Sequence, residues 1–457
     1  MKIGFSQISI TSPVPTLMGG SVARRVAKSI HDELFAKAMV VADDGDTKAA
    51  IVGCDVLSLK RRTVEKAREI IQKNCGINKG VLIAATHDHA GPLTTCIFSQ
   101  TPDETYLNIL AHKIAEAVCS ANQNLVEGKI AIGAGKEERA TFNRRFVMID
   151  GTTTTQPNPE DERIVKPEGP KDAQVGIIYA EKQGVPLGAI VNYSSHPVCV
   201  GWLPEKDHAI SADYPGYIAR TIEKKLRRGF ITVFLNGPCG NLNPSDHAKR
   251  NDLESYQFAE NRGMMIGTEV LRVIKKMKMS SKNSIRTISR IISLPLREIS
   301  DEELNEAKQI AEKIEIVEDL LHGQFTPTFK DNLKATLTSI RGNKIYAREI
   351  LELDRERKNN PFISAEVQAI KIGDGVIIGI PAELFTEFGL QIKKNSPFRY
   401  TFIAELSNGC VGYVPTREAF GTGPLSYGTR TARSSKLAPE VGDMFVETAL
   451  ELLKRLK

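Results

Sequence analysis

Five apolar, strand-like runs in this sequence each end in a polar side chain able to bind a metal or a reacting group. The clearest is VLIAATHDHAGP, where His87 and His89 follow the run Val81 to Ala85. The others are AIVNYSSHP with His196, FITVFLNGPCGNLNP with Asn236 to Asn243, GVIIGIPAE with Glu383, and YTFIAELSNGCVGYVP with Tyr413. Open α/β folds place their chemistry beyond the carboxyl ends of the strands. Imidazoles, one carboxylate and a phenol gathered there point to a metal hydrolase site.

His87 and His89 are two residues apart. On an extended strand both would face the same way, whereas in a loop one could reach a metal and the other sit beside it. Gly91-Pro92 fixes a turn just after them. The alternative is a pair of loop histidines bonded to backbone carbonyls. His196 ends its strand because Pro197 cannot donate to a ladder, and neutral imidazole is a common metal ligand. His208 lies in a charged loop and reads as a solvated side chain. Asp213, before Tyr214-Pro215, is expected to cap the next helix or orient a histidine. Glu383 and Glu387 are four apart, so a helix could carry both on one face.

The elements that must position these residues follow from hydrophobic period. AKAMVVADDGDTKAAIVGCDVLSL predicts a hairpin of two buried strands. Thr63 to Lys73 predicts a helix with Val64, Ala67, Ile70 and Ile71 on one face, and a long helix is expected around Tyr106 to Gln123. Residues 150–173, rich in Pro, Thr and charge, read as a surface loop that could border a pocket. Ser300 and Glu303 form a capping-box pattern that starts a helix, and Gly323 would end it. With a second helix over about Phe329 to Arg357, residues 300–358 read as an inserted αα-hairpin, a packing element first and a lid as the alternative. Strands return at Ser364–Lys371 and Val376–Ile380, and a helix over Val441 to Leu456 closes the chain. No internal repeat is visible. The expected fold is α/β, a mixed β-sheet core with flanking helices, as a single domain over residues 1–457.

Composition excludes several classes. The 457 residues carry a formal net charge of +6, with 41% hydrophobic and 25% charged side chains, as in ordinary globular proteins. The basic cluster Lys224, Lys225, Arg227 and Arg228 has no interleaved aromatics, so no nucleic-acid partner is expected. No run is long enough for an integral membrane segment, and MKIGFSQISITSP lacks the pattern of a signal peptide. The seven cysteines are scattered, without a CxxC pair, and Cys54 reads as a buried thiol, which fits a reducing cytoplasm. Oligomeric state is not set by the sequence, and a homo-oligomer is allowed.

Several ordered motifs resemble the catalytic domain of the neutral/alkaline (non-lysosomal) ceramidases over nearly the whole chain. THDHAGP resembles that family's THTHSGP, and NYSSHP matches its second histidine motif. IHDELFAKAMVVADDG, FNRRF, NGPCGNLNP, PAELFTEFG and GYVPTREAF resemble its opening strand region, Asn-Arg motif, Gly-rich turn, Pro-x-Glu motif and Gly-Tyr-Val motif. The resemblance implies one zinc ion per chain held by His87, His196, Glu383 and Tyr413. It implies that His89 contributes to catalysis, that Arg144 is the active-site arginine, and that Tyr427, in the divergent GTGPLSYGTR, is the second active-site tyrosine. On residue type alone, Tyr413 would read as a core residue and Arg144 as a surface ion-pair partner. Asn236, Gly240 and Asn243 of the Gly-rich turn are candidate substrate contacts, with backbone N–H groups offered to a carbonyl or anion. The sequence departs from the family at Asn243-Pro244, where a Ser-Pro pair is expected. Only 44 residues follow Tyr413, so the immunoglobulin-like C-terminal domain is expected to be missing.

The resemblance therefore implies a zinc-dependent amide hydrolase acting on a small-molecule or lipid-like N-acyl substrate. An esterase or lactonase would use the same site. A non-catalytic metal-binding relative, or a metal enzyme such as an isomerase or phosphatase, belongs to a different class; a two-metal phosphatase needs more Asp ligands than the motifs supply.

Overall fold

Short apolar strands alternating with amphipathic helices build three sheets of one design. The computed structural model describes residues 1–457 other than Asp46, Ser99, Trp202, 204–207, 247–254, Ser281, Asn283, 313–326 and 422–425. In the first sheet β1 (Lys2–Ser9), β2 (Phe35–Ala42) and β3 (Lys48–Cys54) pair antiparallel in succession. Helix α1 (Arg61–Cys75) crosses over to β4 (Val81–Ala85), which lies parallel to β3. Helix α2 (Glu104–Gln123), started by the Asp103 side chain accepting the Thr105 N–H, packs on β1 and β2.

The second sheet repeats this plan. β5 (Lys129–Lys136) precedes a small three-stranded sheet of β6 (Arg145–Met148), β7 (Thr153–Thr155) and β8 (Ile164–Pro167). Then β9 (Gln174–Lys182) pairs antiparallel with both β5 and β10 (Val185–Tyr193), and α3 (Asp213–Leu226) leads to β11 (Ile231–Asn236), parallel to β10. Helix α4 (Tyr256–Ile274) packs on α3.

The third sheet starts with β12 (Ile285–Pro295), followed by α5 (Asp301–Glu312) and α6 (Pro327–Asn359), which pack together. β13 (Phe362–Ile372) and β14 (Gly375–Ile380) complete the antiparallel set. After β15 (Glu383–Leu384) and α7 (Thr386–Asn395), β16 (Tyr400–Glu405) lies parallel to β14. β17 (Tyr413–Val414) pairs parallel with β15, and α8 (Val441–Leu456) covers β12 and β13.

The chain thus contains a topological repeat: three antiparallel strands, a crossover helix, and a parallel fourth strand, three times over. The sequence hides it because each copy has different side chains, and only the pairing pattern recurs. One apolar core joins the three sheets, with Ile51 and Leu82 from the first, Ile178 and Val233 from the second, and Ile370 and Phe402 from the third, each at most 1% exposed. Glycines let the sheets meet: a Cβ on Gly53 would stand 2.3 Å from the Phe234 carbonyl oxygen, and one on Gly379 would stand 2.9 Å from Leu82 Cδ1. The parallel pairs all end on the same side, which is where His87, His196 and Glu383 follow.

The hairpin, the helix over α1, the strand over β4, and the closing helix agree with the expectations. Residues 150–173 do not form only a loop. They supply β7 and β8, held by the ion pair of buried Arg145 with half-buried Glu168. At the α5 N-terminus the Glu303 N–H donates to Ser300 Oγ at 3.1 Å, as the capping pattern predicts. Gly323 lies outside the described residues. Glu383 and Glu387 do not share a helix face, because Glu383 sits in β15 and α7 begins only at Thr386.

Candidate metal centre and active site

The first repeat delivers two imidazoles. Beyond β4 the backbone turns sharply, and His87 takes φ +70°, a left-handed conformation that costs a non-glycine residue on the order of 1 kcal/mol or more. It is held there by its N–H donating to the Val56 carbonyl at 3.1 Å. The second repeat delivers His196, after β10, and the third delivers Glu383, in β15 beyond β14.

Each histidine is oriented by a backbone carbonyl. Nδ1 of His87 faces Leu57 O at 2.9 Å, Nδ1 of His196 faces Cys239 O at 2.8 Å, and Nδ1 of His89 faces Gly20 O at 3.2 Å. A carbonyl can only accept, so Nδ1 carries the proton in each ring and Nε2 presents a lone pair. The three rings bring one nitrogen each to within 4.8 Å of one another. Glu383 Oε2 lies 3.3 Å from His87 Nε2 and 3.7 Å from His196 Nε2. Among the described residues, His196 Nε2 and Glu383 Oε2 are buried without a hydrogen-bond partner. Buried polar atoms left unsatisfied cost about 1–3 kcal/mol each, and a divalent cation at their common focus would satisfy both. The donor set of imidazole nitrogens and carboxylate oxygen suits zinc.

Charge follows the same geometry. Burial drives the His196 imidazole down to about 3, and burial with the neighbouring imidazoles holds His89 well below its ordinary value. Burial also pulls on His87, but the adjacent Glu383 carboxylate outweighs it and raises that ring. Burial opposes the charge of Glu383 as well, yet His87 and His196 keep its carboxyl well below the usual range.

Around this focus stand the remaining candidates. Tyr413 is 8% exposed, with its hydroxyl 3.3 Å from Arg144 Nη2. Burial raises its phenol, so the cation of Arg144 matters for any metal-binding role. Arg144 also donates to Gly240 O at 2.6 Å and to Asn243 Oδ1 at 3.4 Å, and its guanidinium lies 4.9 Å from the Tyr427 ring centre. The Tyr427 hydroxyl donates to Gln156 Oε1 at 2.9 Å. His87, His89, Arg144, Asn243, Glu383, Tyr413 and Tyr427 line one pocket of about 120 Å³.

Asn236 and Gly240 are not in that lining. Asn236 lies behind it, with Oδ1 accepting the Ser195 N–H at 3.4 Å. Three backbone donors of the Gly-rich turn are already engaged: Gly237 N–H donates to Tyr193 O, Cys239 N–H to Glu405 Oε2, and Gly240 N–H to Leu384 O. Asp213 contacts no histidine among the described residues; its carboxylate accepts the N–H groups of Val200 and Tyr214. His208 is half-buried against Leu203 O, outside the cluster. Glu387 accepts from Asn241 Nδ2 at 2.9 Å. Sequence reasoning missed Gln156, Phe98 and Tyr346, which also line the pocket.

It also missed Glu405, fully buried at the end of β16. Its carboxylate accepts from Cys239 Sγ at 2.7 Å, Cys239 N–H at 3.1 Å and Leu384 N–H at 3.2 Å. Cys239 carries the carbonyl that orients His196, and Leu384 follows Glu383, so one side chain braces both donors. Burial pushes the Glu405 carboxyl up to about 8 in the metal-free protein, against about 4.3 in an unfolded chain. Between those values the folded state binds more protons than the unfolded state, so stability must fall as pH rises. Metal-free protein is expected to lose urea resistance from pH 4.3 to 8 relative to Glu405→Gln, whose amide mimics the protonated carboxyl. Parallel pH profiles for the two proteins would show that Glu405 does not hold its proton.

Residues 1–258, more than half of the chain, match the family model for neutral/alkaline non-lysosomal ceramidase, N-terminal. The chain belongs to the neutral/alkaline non-lysosomal ceramidase family. Among the family's curated members, the neutral ceramidase of Drosophila pseudoobscura pseudoobscura is 23% identical over 265 residues, covering 53% of this chain and 36% of that protein. The neutral ceramidase of Oryza sativa subsp. japonica is 24% identical over 265 residues, covering 55% of this chain and 31% of that protein. The chain spans about a third of the length of these relatives. Two ceramidase structures share the fold over 99% of this chain. The neutral ceramidase from Pseudomonas aeruginosa has a TM-score of 0.71 at 19% identity, with 74% of that chain covered. A ceramidase complexed with C2 has a TM-score of 0.72 at 18% identity, with 75% covered. Glu383 and Tyr413 lie beyond the residues matched by the family model but within this structural likeness. No described helix is long and apolar enough to cross a membrane.

Proposed function

We propose that this chain is a zinc-dependent hydrolase cleaving the amide bond of an N-acyl substrate. The observation that carries the proposal is the convergence of His87 Nε2, His196 Nε2 and Glu383 Oε2, the last two buried without a hydrogen-bond partner among the described residues. Membership of the ceramidase family supports the amide as the bond broken. His87, His196 and Glu383 would hold the metal, with Tyr413 as the fourth donor, and when bound it would supply a Lewis acid and lower the pKa of water.

The chain's own residues supply the rest. His89 is neutral at physiological pH, with Nδ1 anchored on Gly20 and Nε2 3.4 Å from His87 Nε2. It is placed to accept a proton from the attacking water and return it to the leaving amine nitrogen. The guanidinium of Arg144, fixed on Gly240 O and always charged, faces the pocket with the Tyr427 ring against it. It would stabilise negative charge developing on the carbonyl oxygen. Asn243, where the family pattern has serine, can both donate and accept from the pocket wall.

Pocket size limits the acyl group. A cavity of about 120 Å³ is below the roughly 300 Å³ at which drug-sized ligand pockets begin. Phe98 and Tyr346 pack against each other in its wall, with ring centres 5.6 Å apart, and Tyr346 comes from α6. Helix α6 therefore contributes to the wall of the site. Tests on zinc-loaded protein should show cleavage of N-acetyl amides in preference to N-octanoyl amides and ceramide. Tyr346→Ala should move the octanoyl-to-acetyl ratio of kcat/KM up by about tenfold, the scale of apolar pocket discrimination. An unchanged ratio would remove Tyr346 from the acyl pocket. Zinc-loaded protein inert on all amides would contradict the proposed activity.

A further inference from the structure

A second chamber, of about 240 Å³, lies beside the first. The two share Leu57, Ile97, Glu383 and Ser434 as lining, so they meet at the candidate metal-binding carboxylate. Their walls differ. The first has the aromatic pair Phe98 and Tyr346 in its wall, whereas Lys60, Arg433 and Lys436 line the second.

With Glu383 set aside as the candidate metal ligand, the second chamber keeps one net positive charge, Lys60, Arg433 and Lys436 against Glu349 and Glu356. Its other carboxylates, Glu349 and Glu356, are both engaged by Arg433. Glu349 is 2% exposed and bound through two oxygens, at 2.6 and 2.9 Å, and Glu356 Oε1 lies 3.9 Å from Nη1. Lys60 and Lys436 have no carboxylate partner among the described residues. Lys60 Nζ instead lies 3.0 Å from Cys96 Sγ. Both lysines are half-buried, so their charges are less screened than at open surface.

We propose that this chamber is a subsite for a carboxylate on the amine side of the substrate, which makes N-acyl amino acids the substrate class. The inference rests on the hydrolase reading above. A substrate amide poised at Glu383 would put its acyl group in the chamber walled by Phe98 and Tyr346 and its amine substituent in the one lined by Lys60 and Lys436. In an N-acyl amino acid the carboxylate is one carbon from the amide nitrogen, a reach that suits a chamber sharing Glu383. In the reaction the water oxygen bonds to the acyl carbon and the C–N bond breaks. The amine nitrogen takes a proton, and a carboxylic acid and an amino acid leave.

The experiment compares N-acetyl-L-leucine with N-isoamylacetamide, which lacks only the carboxylate, as substrates of the zinc-loaded protein. Acetate release should favour N-acetyl-L-leucine by about tenfold or more in kcat/KM, mainly through KM. The preference should fall about threefold in either Lys60→Ala or Lys436→Ala and about tenfold in the double variant, the scale of partly exposed ion pairs. The Lys60→Arg, Lys436→Arg protein should retain it. Equal rates on the two substrates, or an unaltered ratio in the double alanine variant, would overturn the subsite. If neither amide is cleaved, the hydrolase reading fails and calorimetry judges the subsite alone. Salt-sensitive binding of N-acetyl-L-leucine that is lost in the double alanine variant would uphold it, and no binding by the unaltered protein would overturn it.

Discussion

His196→Ala is expected to empty the metal site. His196 is fully buried, its Nδ1 is fixed by the Cys239 carbonyl, and its Nε2, 3.7 Å from Glu383 Oε2, has no hydrogen-bond partner among the described residues. Removing it deletes one donor and leaves Glu383 Oε2 facing His87 alone. Loss of a group that merely orients a ligand costs about 10–100-fold in metal affinity, so loss of a ligand itself should exceed about 100-fold. His87→Ala and Glu383→Ala should behave alike, with activity falling because metal is lost. Zinc titration with a competing chelator reads this directly. A His196→Ala protein that binds zinc as tightly as the unaltered chain would exclude His196 from the ligand set.

His89→Ala is expected to do the reverse, keeping the metal and losing turnover. The three imidazoles could by themselves form a three-histidine site, so the two arrangements must be separated. Glu383 decides for the mixed set in our reading, because its unpartnered Oε2 sits 3.3 Å and 3.7 Å from the other two rings. That leaves His89 free to move protons. Removal of a general acid-base typically costs about 10²- to 10⁴-fold in rate, and a fall of that size in kcat with zinc stoichiometry unchanged is the predicted outcome. Zinc loss in His89→Ala would make it a ligand and leave the proton carrier unassigned.

The two histidine motifs were legible in the sequence because a buried strand followed by Gly-Pro or Pro marks a strand end, and strand ends are where an α/β site must lie. Glu383 needed the Pro-x-Glu resemblance, since a glutamate four before another reads as a helix face. Tyr413 and Arg144 would have read as core and surface, and only their motifs drew them to the site. What stayed hidden depends on contacts distant in sequence. Tyr346 reaches Phe98 across about 250 residues of chain, and Gln156 comes from a segment whose composition suggested a loop. Glu405 ends an apolar strand, where its role depends on the Cys239 and Leu384 N–H groups that folding brings to it. The threefold repeat of topology was invisible for a related reason: pairing direction recurs while side chains do not.

The measurement closest to the central claim is the metal content of the purified, unaltered chain by mass spectrometry, before and after dialysis against a chelator. The site described here predicts about one zinc per chain, released by the chelator and restored on adding zinc. Protein that carries no metal and retains none after zinc is added would contradict it.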